Sequence, residues 1–537
     1  MKLRFPALFF SLLVWLFTVM SAVSTSAFAA LDPAVVKQLG AEESDDKIIA
    51  IQKLGQSGDP QALTILKAMA DDSLYTDQGK VVILQDDKAF DAATGAEITP
   101  VPESPESIVV NNRLRGELDS AMASLKLFDP DRKVRLAAAQ DLQASVDIAL
   151  VPLLASAMAK ETNPQIKKLL VLVHAQANLK NPDVAQRLAA VTALGDSGSA
   201  TTKSLLQAMT DAANEPDEAV RIAASASMRA IDKRLVLGDA ISKVFTGISL
   251  GSILMLAALG LAITYGVMGI INMAHGELLM VGAYSTYVMQ SLFRKYLPDY
   301  IDWYVVAAIP VAFLVAAIVG IILERTVIRR LYGRTLETLL ATWGLSLILI
   351  QAARVIFGPQ NVELANPVWM SGGIELMSNV VLPLNRLIIV GFSMAVLLMM
   401  WLLMTRTRLG MFIRAVTQNR AMAGCVGVPT GRIDMLAFGL GAGVAGLGGV
   451  ALSQISNVGP DMGQGYIVDS FMVVVLGGVG QLAGAAWAAL GLGIITKFIE
   501  GWAGAVVAKI IVLVFVIIFI QKRPQGLFAI KGRFVES

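Results

Sequence analysis

An amide, an imidazole and a carboxylate fall within the six residues Asn272-Met-Ala-His275-Gly-Glu277. An apolar run from Phe245 to Met268 precedes them and another from Leu278 to Met289 follows. Such groups in hydrocarbon cost several kcal/mol unless they find partners or water. The residues therefore mark either a hydrogen-bonded bend between two spanning helices or part of a route for a polar solute, and their types alone fit both readings. Gln481, directly after the glycine run Gly477-Gly478-Val-Gly480, is a fourth candidate for such a route. Metal and redox chemistry are not expected: Cys425 is the single cysteine and His174 and His275 are the only histidines. No catalytic residues and no cofactor are expected.

The elements that must position these groups divide the chain in two. It is 55% hydrophobic with a mean hydropathy of +0.63, yet most charges precede residue 244. A net charge of +2 gives no reason to expect nucleic acid as a partner. Lys2 and Arg4, an apolar run from Ala7 to Met20 and the stretch ending Ala27-Phe28-Ala29 read as an export signal over residues 1–29. The run falls short of the ~20 residues that a spanning helix needs. Residues 30–243 then form an exported domain.

That domain carries a repeat. Ala50 to Asp71 aligns without gaps on Ala190 to Asp211, with Leu54-Gly55, Ser57-Gly58, Leu66, Ala68-Met69 and Asp71 recurring as Leu194-Gly195, Ser197-Gly198, Leu206, Ala208-Met209 and Asp211. Arg135, Arg187 and Arg221 each follow a Pro-Asp turn and open an alanine-rich helical pattern. Together these look like HEAT-type helical pairs, stacked so that each buries its apolar face on its neighbours. From Lys80 to Pro100 the pattern predicts one small surface hairpin.

Residues 244–537 read as a polytopic domain of about eight or nine spans, so the fold class is all-α: a helical-repeat domain followed by a helical membrane domain. Spans are expected at 245–265, 268–290, 304–323, 338–357, 384–404, 433–452 and 503–520. Ile467 to Glu500 would make one helix roughly 50 Å long, against a ~30 Å hydrocarbon core. It should break at Gly477-Gly478-Val-Gly480-Gln481. With the first domain outside, five crossings place residues 405–432 in the cytoplasm, and this loop holds Arg406, Arg408, Arg414, Arg420 and Arg432 and no acidic residue. The basic tail Lys522, Arg523, Lys531 and Arg533 falls on the same side, while Arg294 and Lys295 are a mild exception.

Gly441-Ala-Gly443-Val-Ala-Gly446 matches a dinucleotide fingerprint, but no strand precedes it and it lies inside an apolar run. Close helix packing through Gly439, Gly443 and Gly446 is the expected role. No GxxxxGK[ST] occurs, so no nucleotide-hydrolysing site of that kind, and no enzyme activity, is expected. The loop from Arg414 to Val428 reads as a short helix that ends at a glycine, with Gln418, Asn419, Arg420, Ala421 and Gly427 at its turn.

Three segments, in order, resemble the permeases of the branched-chain amino-acid family of ABC importers. They are Asn272 to Glu277, the loop Arg414 to Val428 with the glycine-rich helix after it, and the tail Arg523-Pro524-Gln525-Gly526-Leu527-Phe528. The resemblance covers residues 245–533. The generic pattern beginning Glu-Ala-Ala is replaced by Arg420-Ala421-Met422, so a glutamate contact to the ATPase does not carry over. The resemblance implies a bacterial inner-membrane complex of this chain, a second related permease, cytoplasmic ATPase subunits and an extracytoplasmic solute-binding protein. The loop residues from Arg414 to Gly427 would couple to the ATPase. A signal peptide and helical extension before the first span look like the urea importers within this family, so urea is the expected solute. A branched-chain or other amino acid is the nearest alternative, and a channel or secondary transporter the next.

Overall fold

The computed structural model describes residues 31–528 apart from Gly58, 86–87, 103–104, Ser145 and Ser378. The expected export signal and the tail residues Lys531 and Arg533 lie outside the described residues. The chain divides into two compact units between Arg234 and Leu235 rather than at 243. Both the observed and the expected boundary fall inside one helix, Glu218–Met268, so no loop chemistry marks either.

In the first unit the helices are α1 (Pro33–Gln38), α2 (Ser44–Ser57), α3 (Pro60–Ala70), α4 (Asn112–Lys126), α5 (Arg132–Ala144), α6 (Val151–Lys160), α7 (Pro164–Ala177), α8 (Val184–Leu194), α9 (Ala200–Ala208) and the start of α10 (Glu218–Met268). Short polar residues begin them: Asp59, Asn111, Asn163, Asp183 and Ser199 each accept a first-turn N–H. Packing runs from neighbour to neighbour, α2 on α4, α4 on α5, α5 on α7 and α7 on α8. The two copies of the repeat occupy α2–α3 and α8–α9, and they pack alike. Leu54, Leu66, Leu194 and Leu206 are all buried, and a Cβ on Gly55 or Gly195 would strike the second helix after it, at Ala121 of α4 or Ser227 of α10.

The all-α expectation fails between α3 and α4. There, β1 (Leu74–Asp77), β2 (Lys80–Gln85), β3 (Lys88–Asp91), β4 (Glu97–Ile98) and β5 (Glu106–Ser107) form an antiparallel sheet in the order β4-β3-β2-β1-β5, where one hairpin was expected. Gln78-Gly79, with φ of 46° and 81°, makes the two-residue turn that pairs Asp77 with Lys80. A second hairpin, β6 (Gly373–Met377) with β7 (Val380–Pro383), lies between the spans expected at 338–357 and 384–404.

The second unit continues α10 and adds α11 (His275–Tyr296), α12 (Tyr304–Thr326), α13 (Thr335–Phe357), α14 (Leu384–Arg406), α15 (Arg408–Gln418), α16 (Arg420–Cys425), α17 (Thr430–Ser453), α18 (Met462–Gly477), α19 (Leu482–Ala503) and α20 (Ala505–Lys522). Among the described residues, seven helices are long and apolar enough to cross a membrane: α10, α12 with the turn before it, α13, α14, α17, α19 and α20. Two elements in expected spanning stretches fall outside that set: α11, which carries Glu277, Arg294 and Lys295, and α18, which has only 16 residues. α17 is the hub and is buried nearly throughout. A Cβ at Gly446 would meet Ala312 and Ala316 of α12, one at Gly443 the Phe313 ring, one at Gly439 Ile321, one at Gly441 Gly260 and Thr264 of α10, and one at Gly449 the backbone of Leu279 in α11. The fingerprint-like glycines therefore sit at helix crossings, where small residues let backbones touch.

Candidate functional site

The first polar cluster sits where α10 gives way to α11. Gly269, with φ of 66°, ends α10, so α11 begins at His275 rather than at the expected 268. Asn272 Oδ1 accepts the Ala274 N–H at 3.1 Å and fixes the bend, while Thr342 Oγ1 of α13 accepts the Met273 N–H at 3.2 Å. His275 Nε2 lies 3.0 Å from the Ala257 carbonyl, which can only accept, so this nitrogen carries the proton. Glu277 Oε1 accepts from Ser346 Oγ at 2.8 Å. All three cluster residues are at most 1% exposed. Gly276 is pressed against Gly463, the start of α18. The cluster thus pins together α10, α11, α13 and α18. Asn272 Nδ2, His275 Nδ1 and Glu277 Oε2 are buried without a hydrogen-bond partner among the described residues.

Gln481 lies elsewhere, on the break between α18 and α19. Gly478 (φ 101°) and Gly480 (φ 77°) turn the chain there. The tail closes the break from outside: the Leu527 N–H donates to the Leu476 carbonyl at 2.8 Å and the Phe528 N–H to that of Gly477, satisfying carbonyls that a helix C-terminus leaves open. Gln481 then faces a cavity of about 510 Å³, walled by Ala262 to Val267 of α10, Trp401 to Thr405 of α14, and Ile413, Arg414, Thr417 and Gln418 of α15. The sequence placed Gln481 with the solute route and Arg414 and Gln418 with ATPase coupling; the structure brings all three to one cavity. Its lining contains no acidic residue. Asn272, His275 and Glu277 do not line it.

The loop between α14 and α17 is two helices rather than one, because Asn419 leaves helical geometry and caps α16 by accepting the Met422 N–H at 3.0 Å. The Arg420 guanidinium is bound inside the chain: it makes a double hydrogen bond to the Asp434 carboxylate and lies 4.1 Å over the Tyr332 ring. It therefore orients α16 against α17, and its side chain is largely occupied by that task. Ala421, Met422, Val426 and Gly427 form an exposed, mostly apolar edge, with Gly427 at φ 86°. A second cavity, of about 260 Å³, holds two ion pairs that the sequence reading missed, Asp469–Lys509 at 3.5 Å and Lys497–Glu500 at 2.7 Å. Charges inside apolar runs were the available signal.

A bundle of apolar helices around a glycine-lined hub, with two breaks and a mostly apolar cavity that Arg414, Gln418 and Gln481 also line, defines a polytopic membrane protein of the transporter kind. The chain belongs to the family described as branched-chain amino acid transport system / permease component, whose family model matches residues 243–521. The high-affinity branched-chain amino acid transport system permease protein BraD of Pseudomonas aeruginosa is 28% identical over 293 residues, which are 53% of this chain and 95% of that protein. The LivH permease of the same description from Escherichia coli K12 is 29% identical over 293 residues, 53% of this chain and 94% of its own length. The ribose import permease protein RbsC of Escherichia coli K12 is 26% identical over 201 residues, 36% of this chain and 59% of that protein. No solved structure matches.

Proposed function

We propose that this chain is the permease subunit of an ATP-driven importer in a bacterial inner membrane, and that the 510 Å³ cavity is part of the solute's passage. The carrying observation is that α15 contributes to that cavity while α16, the next helix, offers an exposed apolar edge from the same loop. A cytoplasmic ATPase that moves α16 would move the cavity wall with it. The first unit is exported in this reading, its helical pairs are of HEAT type, and α11 and α18 join the seven long apolar helices in crossing the membrane. A second related permease, two ATPases and an extracytoplasmic binding protein complete the assembly.

The named relatives favour a branched-chain amino acid as the solute. One observation favours urea as a second reading. The Gln418 and Gln481 carboxamides have no hydrogen-bond partner among the described residues, and with no acidic residue in the lining the cavity offers donors and acceptors but no counter-charge for an α-ammonium group. The deciding experiment is uptake of labelled leucine and labelled urea into vesicles containing the reconstituted complex. ATP-dependent uptake of one, competed only by itself, identifies the solute; ATP-independent flux of either would instead indicate a channel.

A further inference from the structure

Two arginines of the first unit are held in the same way. Arg135 Nη1 donates to the Asp129 and Pro130 carbonyls at 2.9 and 3.0 Å, which leaves its Nε and Nη2 edge to grip the Glu161 carboxylate at 2.8 and 3.3 Å. Arg187 Nη1 donates to the Asn181 and Pro182 carbonyls at 2.9 and 3.0 Å, and its other edge grips Glu215 at 2.8 and 2.9 Å. Each gripped carboxylate also accepts the N–H two residues further on, from Asn163 or Asp217. This is one recognition unit built twice: a guanidinium anchored by a turn and aimed at an acidic residue that itself precedes a helix.

Arg221 is the third member. Its Nη1 donates to the Glu215 and Pro216 carbonyls, both at 2.8 Å, so the anchor is complete. The other edge forms no ion pair with a carboxylate among the described residues, although its charge reaches the Glu215 carboxylate. Glu161 and Glu215 follow their arginines by 26 and 28 residues; the same interval beyond Arg221 reaches Gly247, Ile248 and Ser249, in the apolar run. The Glu215 carboxylate is already taken by Arg187. One turn and two turns further along α10, Ser225 and Arg229 continue the stripe, and Arg229 also pairs with no carboxylate among the described residues. Ile222 beside it is 61% exposed. Val220, Ala224, Ser227 and Ile231 carry the buried side of the same helix.

We propose that Arg221 is a preformed receptor for a carboxylate, filled by an acidic side chain of the extracytoplasmic solute-binding protein when it docks. The anchored guanidinium presents a planar two-pronged donor, so a carboxylate on a firm surface binds it in a fixed orientation. The Arg229 charge and the Ile222 side chain extend the contact. The proposal rests on the importer reading and on export of the first unit.

The test uses the full complex in lipid nanodiscs with its own binding protein, comparing Arg221→Gln, Arg221→Lys and Arg135→Gln for affinity, salt dependence and thermal unfolding. Arg221→Gln should weaken docking at least tenfold, Arg221→Lys should recover less than half of that loss because it restores charge but not the fork, and Arg135→Gln should leave docking unchanged while lowering the unfolding temperature. A photo-crosslinker at position 222 should capture the binding protein. Equal affinity for Arg221→Gln and the unaltered chain overturns the receptor, as does equal weakening by Arg135→Gln. If the binding protein fails to dock on the unaltered complex and uptake is absent too, the importer reading itself falls.

Discussion

Replacing His275 by Ala tests whether the Asn272–Glu277 cluster is a clamp or a lining of the route. In the structure the imidazole is fully buried and donates to the Ala257 carbonyl of α10. Losing that bond removes about 1 kcal/mol, since a buried hydrogen bond contributes roughly 0.5–1.5 kcal/mol net. Emptying the imidazole volume adds about 2–3 kcal/mol, at the lower end of what large-to-small core substitutions cost, because Gly260 lies directly against the ring and cannot fill the gap. The sum, about 3–4 kcal/mol, is a large part of a typical net stability of 5–15 kcal/mol. Thermal unfolding of the purified complex, followed by tryptophan fluorescence, should show a fall of several degrees, with complex yield and uptake dropping in parallel. An unchanged unfolding temperature with abolished uptake would refute the clamp and give the cluster a direct part in transport.

Gly449→Leu should abolish assembly, since even a Cβ there would overlap the Leu279 carbonyl and the Ala283 amide; detectable folded complex would mean that the α11–α17 crossing is not as drawn. Removing the chain after Lys522 should loosen the α18–α19 break, seen as faster hydrogen exchange at 476–481, whereas an unaltered rate would make the tail a bystander. The first unit should lose stability in acid. Hydrogen bonds from Arg135 and Arg187 hold the Glu161 and Glu215 carboxyls below the usual range, so their contribution is present above the ordinary value of 4.5 and disappears as pH falls through the lowered one. Glu215→Gln should flatten that acid limb, and an unchanged slope would remove the linkage.

Periodicity and glycine content made the membrane unit legible because they encode the dominant constraint, that backbone polar groups be satisfied within helices and that crossing helices approach through small residues. Gly443, Gly446 and the 477–481 break are visible in that way. A hairpin between Lys80 and Pro100 was legible too, but the Gln78-Gly79 turn and the five-stranded sheet were not: β4 and β5 have two residues each, and pairing across the sheet, rather than any local pattern, makes them strands. Asn419 was read as part of one helix because its cap depends on a backbone turn that no spacing reveals. Arg420 was read as a contact for a partner, whereas Asp434, 14 residues further on, and Tyr332, far earlier in the chain, occupy it and meet it only in the fold. Likewise Gln481 lies more than sixty residues from Gln418, and only the return of α18–α19 beside α15 puts both on one cavity.

The central claim is that this cavity belongs to the solute's passage and changes with the ATPase cycle. Its most direct test is thiol accessibility at position 481 in the reconstituted complex, with Cys425 replaced by Ser and Gln481 by Cys. Labelling by a membrane-impermeant reagent should differ between the nucleotide-free and the ATP-trapped states, and the transported solute should slow it. Equal labelling in every state, in vesicles that still take up solute on ATP addition, would contradict the account.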